Sequence, residues 1–125
     1  MSILEVASGQ EAGSGSLTIS HVAEQTGLSV HTLRYYERAG LMLYPASRSS
    51  SRHRRYTATD VRWVGFLSKL RLTGMPTATT KTYTALARKG ESTQEARLAL
   101  LEEHREGVLQ QLEDITTSLA AIDYK

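Results

Sequence analysis

The chain has 125 residues, no cysteine and a formal net charge of +2. That length fits one folded domain with an extension, and the missing thiols exclude disulfides, thiolate metal ligation and thiol redox sensing. No apolar run approaches the roughly 18–20 residues of a membrane span and no signal peptide opens the chain, so a cytoplasmic protein without membrane partners is expected.

Residues 1–16 are rich in Gly, Ser and other small side chains, carry two acids and no base, and show no periodicity. They are expected to form a disordered lead-in. Leu17 to Ile19 is expected as a short strand. Ser20 then caps a helix of about two turns that buries Val22 and Ala23, and Gly27 supplies the φ > 0 turn. Ser29 caps a second helix whose Val30, Leu33 and Tyr36 face inward at three-residue steps. His31, Thr32, Arg34, Tyr35 and Arg38 are left on its other faces. Two short helices, a glycine turn and a cationic second helix have the form of a helix-turn-helix.

Pro45 and the Ser/Arg-rich run after it are expected as a β-hairpin with a mobile tip. Arg48, Arg52, His53, Arg54 and Arg55 fall within eight residues and no acid lies among them. Such a concentration repels itself unless a polyanion is near, which favours a phosphate-facing role over a solvated loop.

Thr57 and Asp60 form a capping box for a third helix, with Trp63, Phe66, Leu67 and Leu70 as its core stripe. Pro76 is expected at the first position of a fourth helix that carries Tyr83, Leu86 and Ala87 inward and is closed by Gly90. Ser92-Thr93-Gln94-Glu95 reads as another capping box, opening the longest element. There Leu98, Leu101, Arg105, Val108, Leu112, Ile115, Leu119 and Ile122 are spaced 3, 4, 3, 4, 3, 4, 3. This is a heptad seam with one polar break at Arg105. A helix roughly 46 Å long cannot bury it against so small a head. A dimeric coiled coil through Leu98, Leu101, Val108, Leu112, Ile115, Leu119 and Ile122 is therefore expected. Charge follows the same division: residues 17–90 carry 12 Lys and Arg against 3 acids, residues 91–125 carry 3 against 8. A basic head on an acidic assembly helix suits nucleic-acid binding.

LRYYERAGL (Leu33 to Leu41), RRYT (Arg54 to Thr57) and LRLTGMP (Leu70 to Pro76) occur in the order found in the MerR family of transcription regulators, which the chain resembles from Thr18 to its C-terminus. The resemblance implies a mainly α fold. A winged helix-turn-helix head over residues 17–90, with four helices and a short β-hairpin wing, would precede an antiparallel coiled-coil dimerisation helix over residues 91–125. It implies Arg34 and Tyr35 as the main major-groove contacts, with Thr18, Ser29, His31 and Thr32 near base edges or phosphates. Arg52, Arg54, Arg55 and Tyr56 of the first wing, and Arg71 and Lys81 near the second, are implied as DNA-backbone contacts. The implied partners are promoter DNA, a second copy of the chain and RNA polymerase. The operator would be an inverted repeat that is bent and untwisted, with extra backbone contacts offsetting the deformation.

The chain departs from the family pattern at several points. Arg52-His53 replaces the usual glycine-aromatic turn, and Thr77 and Thr80 replace apolar residues, which predicts a less firmly packed fourth helix. The chain stops at Asp123-Tyr124-Lys125, where family members typically continue into an effector domain or metal-binding loop. It looks closest to the short aldehyde- and electrophile-responsive regulators. In those a sensing cysteine sits in a context like FLxCLxxTGM; FLSKLRLTGM here places Lys69 at that position. No metal and no cofactor are expected. The four histidines lie in separate elements without ligand spacing, His104 at a solvated helix position, and no nucleophile, paired-carboxylate or phosphate-loop motif suggests an enzyme. Two alternatives stay open: an architectural or excisionase-like DNA-bending protein without promoter regulation, and a coiled-coil adaptor.

Overall fold

The computed structural model describes residues 17–44, 47–48 and 54–124; the expected lead-in lies outside them. The elements run α1 (Ile19–Thr26), α2 (Val30–Arg38), β1 (Ser47–Arg48), β2 (Arg54–Arg55), α3 (Ala58–Leu72), α4 (Thr77–Arg88), a 3-10 turn (Gly90–Thr93) and α5 (Gln94–Asp123). The fold is mainly helical and ends in a long helix.

Thr18, not Ser20, caps α1. Its Oγ1 accepts from the His21 amide at 3.2 Å, and its own amide donates back to His21 Nδ1 at 3.5 Å. Thr18 has a reciprocal partner three residues on, whereas Ser20 already lies inside the first turn. The strand expected at Leu17 to Ile19 shrinks to a single bridge, in which Leu17 exchanges both backbone hydrogen bonds with Tyr56 at 3.1 and 2.9 Å.

The α3 cap forms as expected. Thr57 Oγ1 accepts from the Asp60 amide at 3.1 Å, and the Thr57 amide donates to Asp60 Oδ2 at 2.8 Å. Burial pushes the Asp60 carboxyl above the usual carboxylate range, opposed by the bonds from the Thr57 backbone and side chain. Asp60→Ala should cost about 1 kcal/mol in denaturant unfolding, and Asp60→Asn, which keeps the acceptor, clearly less. A raised folded-state pKa means that protonation favours the folded chain. The wild type should therefore gain stability over Asp60→Asn as pH falls from 7 towards about 4.

Trp63, Val64 and Leu67 of α3 are fully buried and meet Val22, Leu33, Tyr36, Leu41, Leu43, Tyr56, Tyr83 and Ala87 in one core. Trp63 Nε1 donates to the Leu41 carbonyl at 2.7 Å, which satisfies its buried polar atom. Its ring stacks on Tyr83 at 6.1 Å, with Phe66 tilted against both. Phe66 and Leu70 are only half-buried while Val64 is fully enclosed, because α3 is packed by α1 on one side and α4 on another.

Pro76 is the N-cap of α4 rather than its first residue. Loose packing of this helix is not observed. Thr80 and Thr84 are fully buried, and their hydroxyls donate to the carbonyls of Pro76 (3.1 Å) and Thr80 (2.9 Å). With the hydroxyl turned back into the helix, threonine packs much as a β-branched apolar residue does.

β1 and β2 pair antiparallel through Ser47↔Arg55 and Arg48↔Arg54. This is a ladder of two residue pairs, and its connecting residues 49–53 lie outside the described residues.

The expected capping box at Ser92 to Glu95 does not form. Thr93 is buried in the 3-10 turn, its hydroxyl directed at the carbonyls of Leu86 (2.7 Å) and Gly90 (2.8 Å), so α5 starts without a side-chain cap. The first turns of α5 pack on the head through Arg97, Leu100, Leu101 and His104. His104 is half-buried rather than solvated, with Nε2 2.8 Å from Thr73 Oγ1. From residue 109 to 124 every side chain is exposed.

Candidate nucleic-acid interface

The two-helix unit is built from local capping chemistry. Gly27 takes φ +75° and ends α1 by donating its amide N–H to the Ala23 carbonyl at 2.9 Å. Thr26 Oγ1 donates to the Val22 carbonyl at 2.8 Å and accepts from the Leu28 amide at 3.2 Å, which tightens the turn. Ser29 Oγ accepts from the Thr32 amide at 3.0 Å and donates to Thr32 Oγ1 at 3.0 Å. Ser29 and Thr32 thus serve first as the start of α2, with Thr32 half-buried. At the other end Gly40 at φ +74° lets the Leu41 amide reach back to the Tyr36 carbonyl at 2.9 Å, and Leu41 is driven into the core.

This leaves one polar face. His31, Arg34 and Arg38, spaced i, i+3 and i+7, are all exposed, while Leu33 and Tyr36 opposite them are buried. An exposed cationic stripe on a short helix whose reverse side is core is geometrically ready to enter a groove.

Several residues expected at DNA also have partners within the chain. Tyr56 is 1% exposed and donates its hydroxyl to Glu37 on α2, so it braces the two-helix unit from within. Tyr35 is half-buried, its hydroxyl 3.4 Å from Thr77 Oγ1 at the start of α4. Arg71 is half-buried and donates to the Met75 carbonyl at 3.0 Å, closing the α3–α4 corner. Burial raises the Tyr36 hydroxyl above the ordinary tyrosine range; the Arg71 charge opposes that, and Tyr35 adds to it. Lys81 is exposed on α4 and Arg55 half-buried on β2. Arg54 is on β2, and Arg52 lies outside the described residues.

Two arginines that sequence reading passed over have structural work. Arg88 on α4 donates through Nε to the Leu43 carbonyl (3.0 Å) and through a terminal nitrogen to the carbonyls of Gly40 (3.0 Å) and Met42. It therefore clamps the segment that leaves α2. Arg97 is buried at the start of α5. Its signal was available: Thr93, Arg97, Leu101 and His104 recur at helical spacing as a head-facing stripe beside the heptad seam.

Among the described residues no group of three or more His, Asp or Glu could hold a metal ion, and no helix is long and apolar enough to cross a membrane.

The comparisons agree with this geometry. Residues 17–86 match the MerR HTH family regulatory proteins. The HTH-type transcriptional regulator AdhR of Bacillus subtilis is 37% identical over 94 residues, 75% of this chain and 66% of AdhR. A Listeria monocytogenes protein assigned to the MerR family superposes with a TM-score of 0.81 at 37% identity, covering 87% of this chain and 82% of that one. HiNmlR, a MerR family regulator lacking the sensor domain and solved bound to promoter DNA, gives 0.76 at 33% identity, over 86% and 84% of the two chains. The match spans the two-helix unit, the capped α3 and nearly all of α4, and the chain belongs to the MerR family of helix-turn-helix regulatory proteins.

Proposed function

We propose that the chain is a homodimeric transcription regulator that binds a promoter operator built as an inverted repeat. The carrying observation is the exposed His31–Arg34–Arg38 stripe on a helix otherwise committed to the core. In this reading α2 enters the major groove, Arg34 reaches base edges, and His31, Thr32 and Arg38 flank it. β1–β2 and its loop act as a wing through Arg52, Arg54 and Arg55, and Thr18 and Lys81 add backbone contacts. Tyr56, Glu37 and Arg71 hold the unit rigid from inside. Likeness to HiNmlR, itself bound to promoter DNA, supports this reading.

The uncovered face of α5 supports the dimer. Leu98, Leu112, Ile115, Leu119 and Ile122 are 53–67% exposed. Asp114, Ile115, Ser118, Leu119 and Ile122 line a shallow groove there. An antiparallel partner helix would cover that face and separate two heads, which then bend and untwist the operator for RNA polymerase.

Sedimentation combined with anisotropy titrations at several salt concentrations tests the reading. A dimer should bind selected DNA and lose about 10³–10⁵ in affinity between about 50 and 200 mM salt. A monomer that bends DNA would favour an architectural protein, and a dimer indifferent to DNA would favour an adaptor.

A further inference from the structure

The joint between α4 and α5 is built around a buried charge. Arg97 is 3% exposed; its Nε donates to Thr93 Oγ1 at 3.0 Å, and a terminal nitrogen donates to the Gly90 carbonyl at 3.2 Å. The same guanidinium charge lies close enough to Tyr83 to oppose the rise that burial imposes on its hydroxyl, and the Tyr83 ring stacks on Trp63 at the centre of the core. Thr93 in turn points its hydroxyl at the Leu86 and Gly90 carbonyls. Gly90 itself sits at φ +83°, a left-handed conformation that other residues adopt only with strain.

A buried guanidinium is costly unless its donors are met. Simple attachment of one helix to another needs no such network, since an apolar side chain could fill the space. What the network adds is direction: donors fixed to a turn carbonyl and a turn hydroxyl hold α5 at one angle. Over the 30 residues of α5, a tilt of about 5° would displace the far end by about 4 Å, slightly more than the roughly 3.4 Å between base pairs.

We propose that Arg97 is a positioning residue that fixes the angle between head and α5 and thereby sets the half-site separation the dimer accepts. The proposal rests on the dimeric, DNA-binding reading above.

Operators selected by the wild-type protein from random duplex DNA provide the probe. Half-site separation is then changed one base pair at a time, with single half-site duplexes measured alongside. For the wild type each one-base-pair change should weaken binding about tenfold. Arg97→Met should reduce that penalty to about threefold or move the optimum by a base pair, while half-site affinity stays within about twofold. Arg97→Lys should restore part of the wild-type profile. Thr93→Val removes one partner without removing charge, and it decides the matter if Arg97→Met does not fold. Folded variants that all keep the sharp wild-type spacing profile overturn the proposal. A wild type that selects no inverted repeat, or tolerates every spacing equally, overturns the dimer reading and the proposal with it.

Discussion

Leu112→Asp combined with Ile115→Asp is expected to convert the proposed dimer into folded monomers. Leu112 is 59% and Ile115 66% exposed in the single chain, and nothing in the described head covers them. The head core of Trp63, Val64, Leu67, Tyr83 and their neighbours does not depend on either residue. Two substitutions per chain place four carboxylates in a two-chain seam, where each desolvated charge costs several kcal/mol even after relaxation. Dimer affinity should therefore fall by at least about 10³, the equivalent of roughly 4 kcal/mol. Thr117→Asp, on the same helix but on the face opposite the seam, controls for added charge and should leave the dimer intact. Sedimentation velocity reads the mass, and near-ultraviolet circular dichroism of Trp63 reads the core. A double variant that still sediments as a tight dimer would show that α5 pairs through another face, and an unfolded one that the head depends on the dimer.

The legible parts of this chain are those governed by short-range rules. Ser29 and the Thr57–Asp60 box could be read directly because a cap involves residues three apart. The long helix α5 could be read because a 3–4 spacing repeats over seven intervals. Thr18 was displaced by Ser20 in the sequence reading because two hydroxyl residues compete there, and only the bond back from the Thr18 amide to His21 decides between them.

Long-range roles of cations were not legible. Arg88 closes on carbonyls 45–48 residues away, and nothing local distinguishes it from a solvated charge or a phosphate contact. Tyr35 and Tyr56 were ambiguous for a related reason. A tyrosine offers both a hydrophobic body and a polar tip, so the same residue fits a groove contact or a buried brace. Burial with the hydroxyl on Glu37 selects the brace for Tyr56.

Arg34→Ala and Arg54→Ala are expected to fail in different ways, and the contrast tests how the head reads DNA. Arg34 lies on the exposed face of α2, at the centre of the stripe from His31 to Arg38. If it forms a bidentate contact with a guanine edge, its loss should cost roughly 1–3 kcal/mol and relax preference at one position per half-site. The fold should be unaffected, because the helix is held by Leu33, Tyr36 and the Ser29 cap on its other sides. Arg54 lies on β2, paired with Arg48, within a run of basic residues. A wing arginine of this kind should grip phosphate. Arg54→Ala should then weaken all sequences about equally and reduce the slope of log K against log salt by about one per protomer, hence about two per dimer. Titrations of both variants on specific and scrambled duplexes at three or more salt concentrations separate the two behaviours. If Arg34→Ala lowers the salt slope and leaves the specificity ratio unchanged, Arg34 is a backbone clamp. Base discrimination would then pass to His31, Thr32 or Tyr35, or to the shape of the operator, since a deformed duplex can carry specificity at positions the protein never touches.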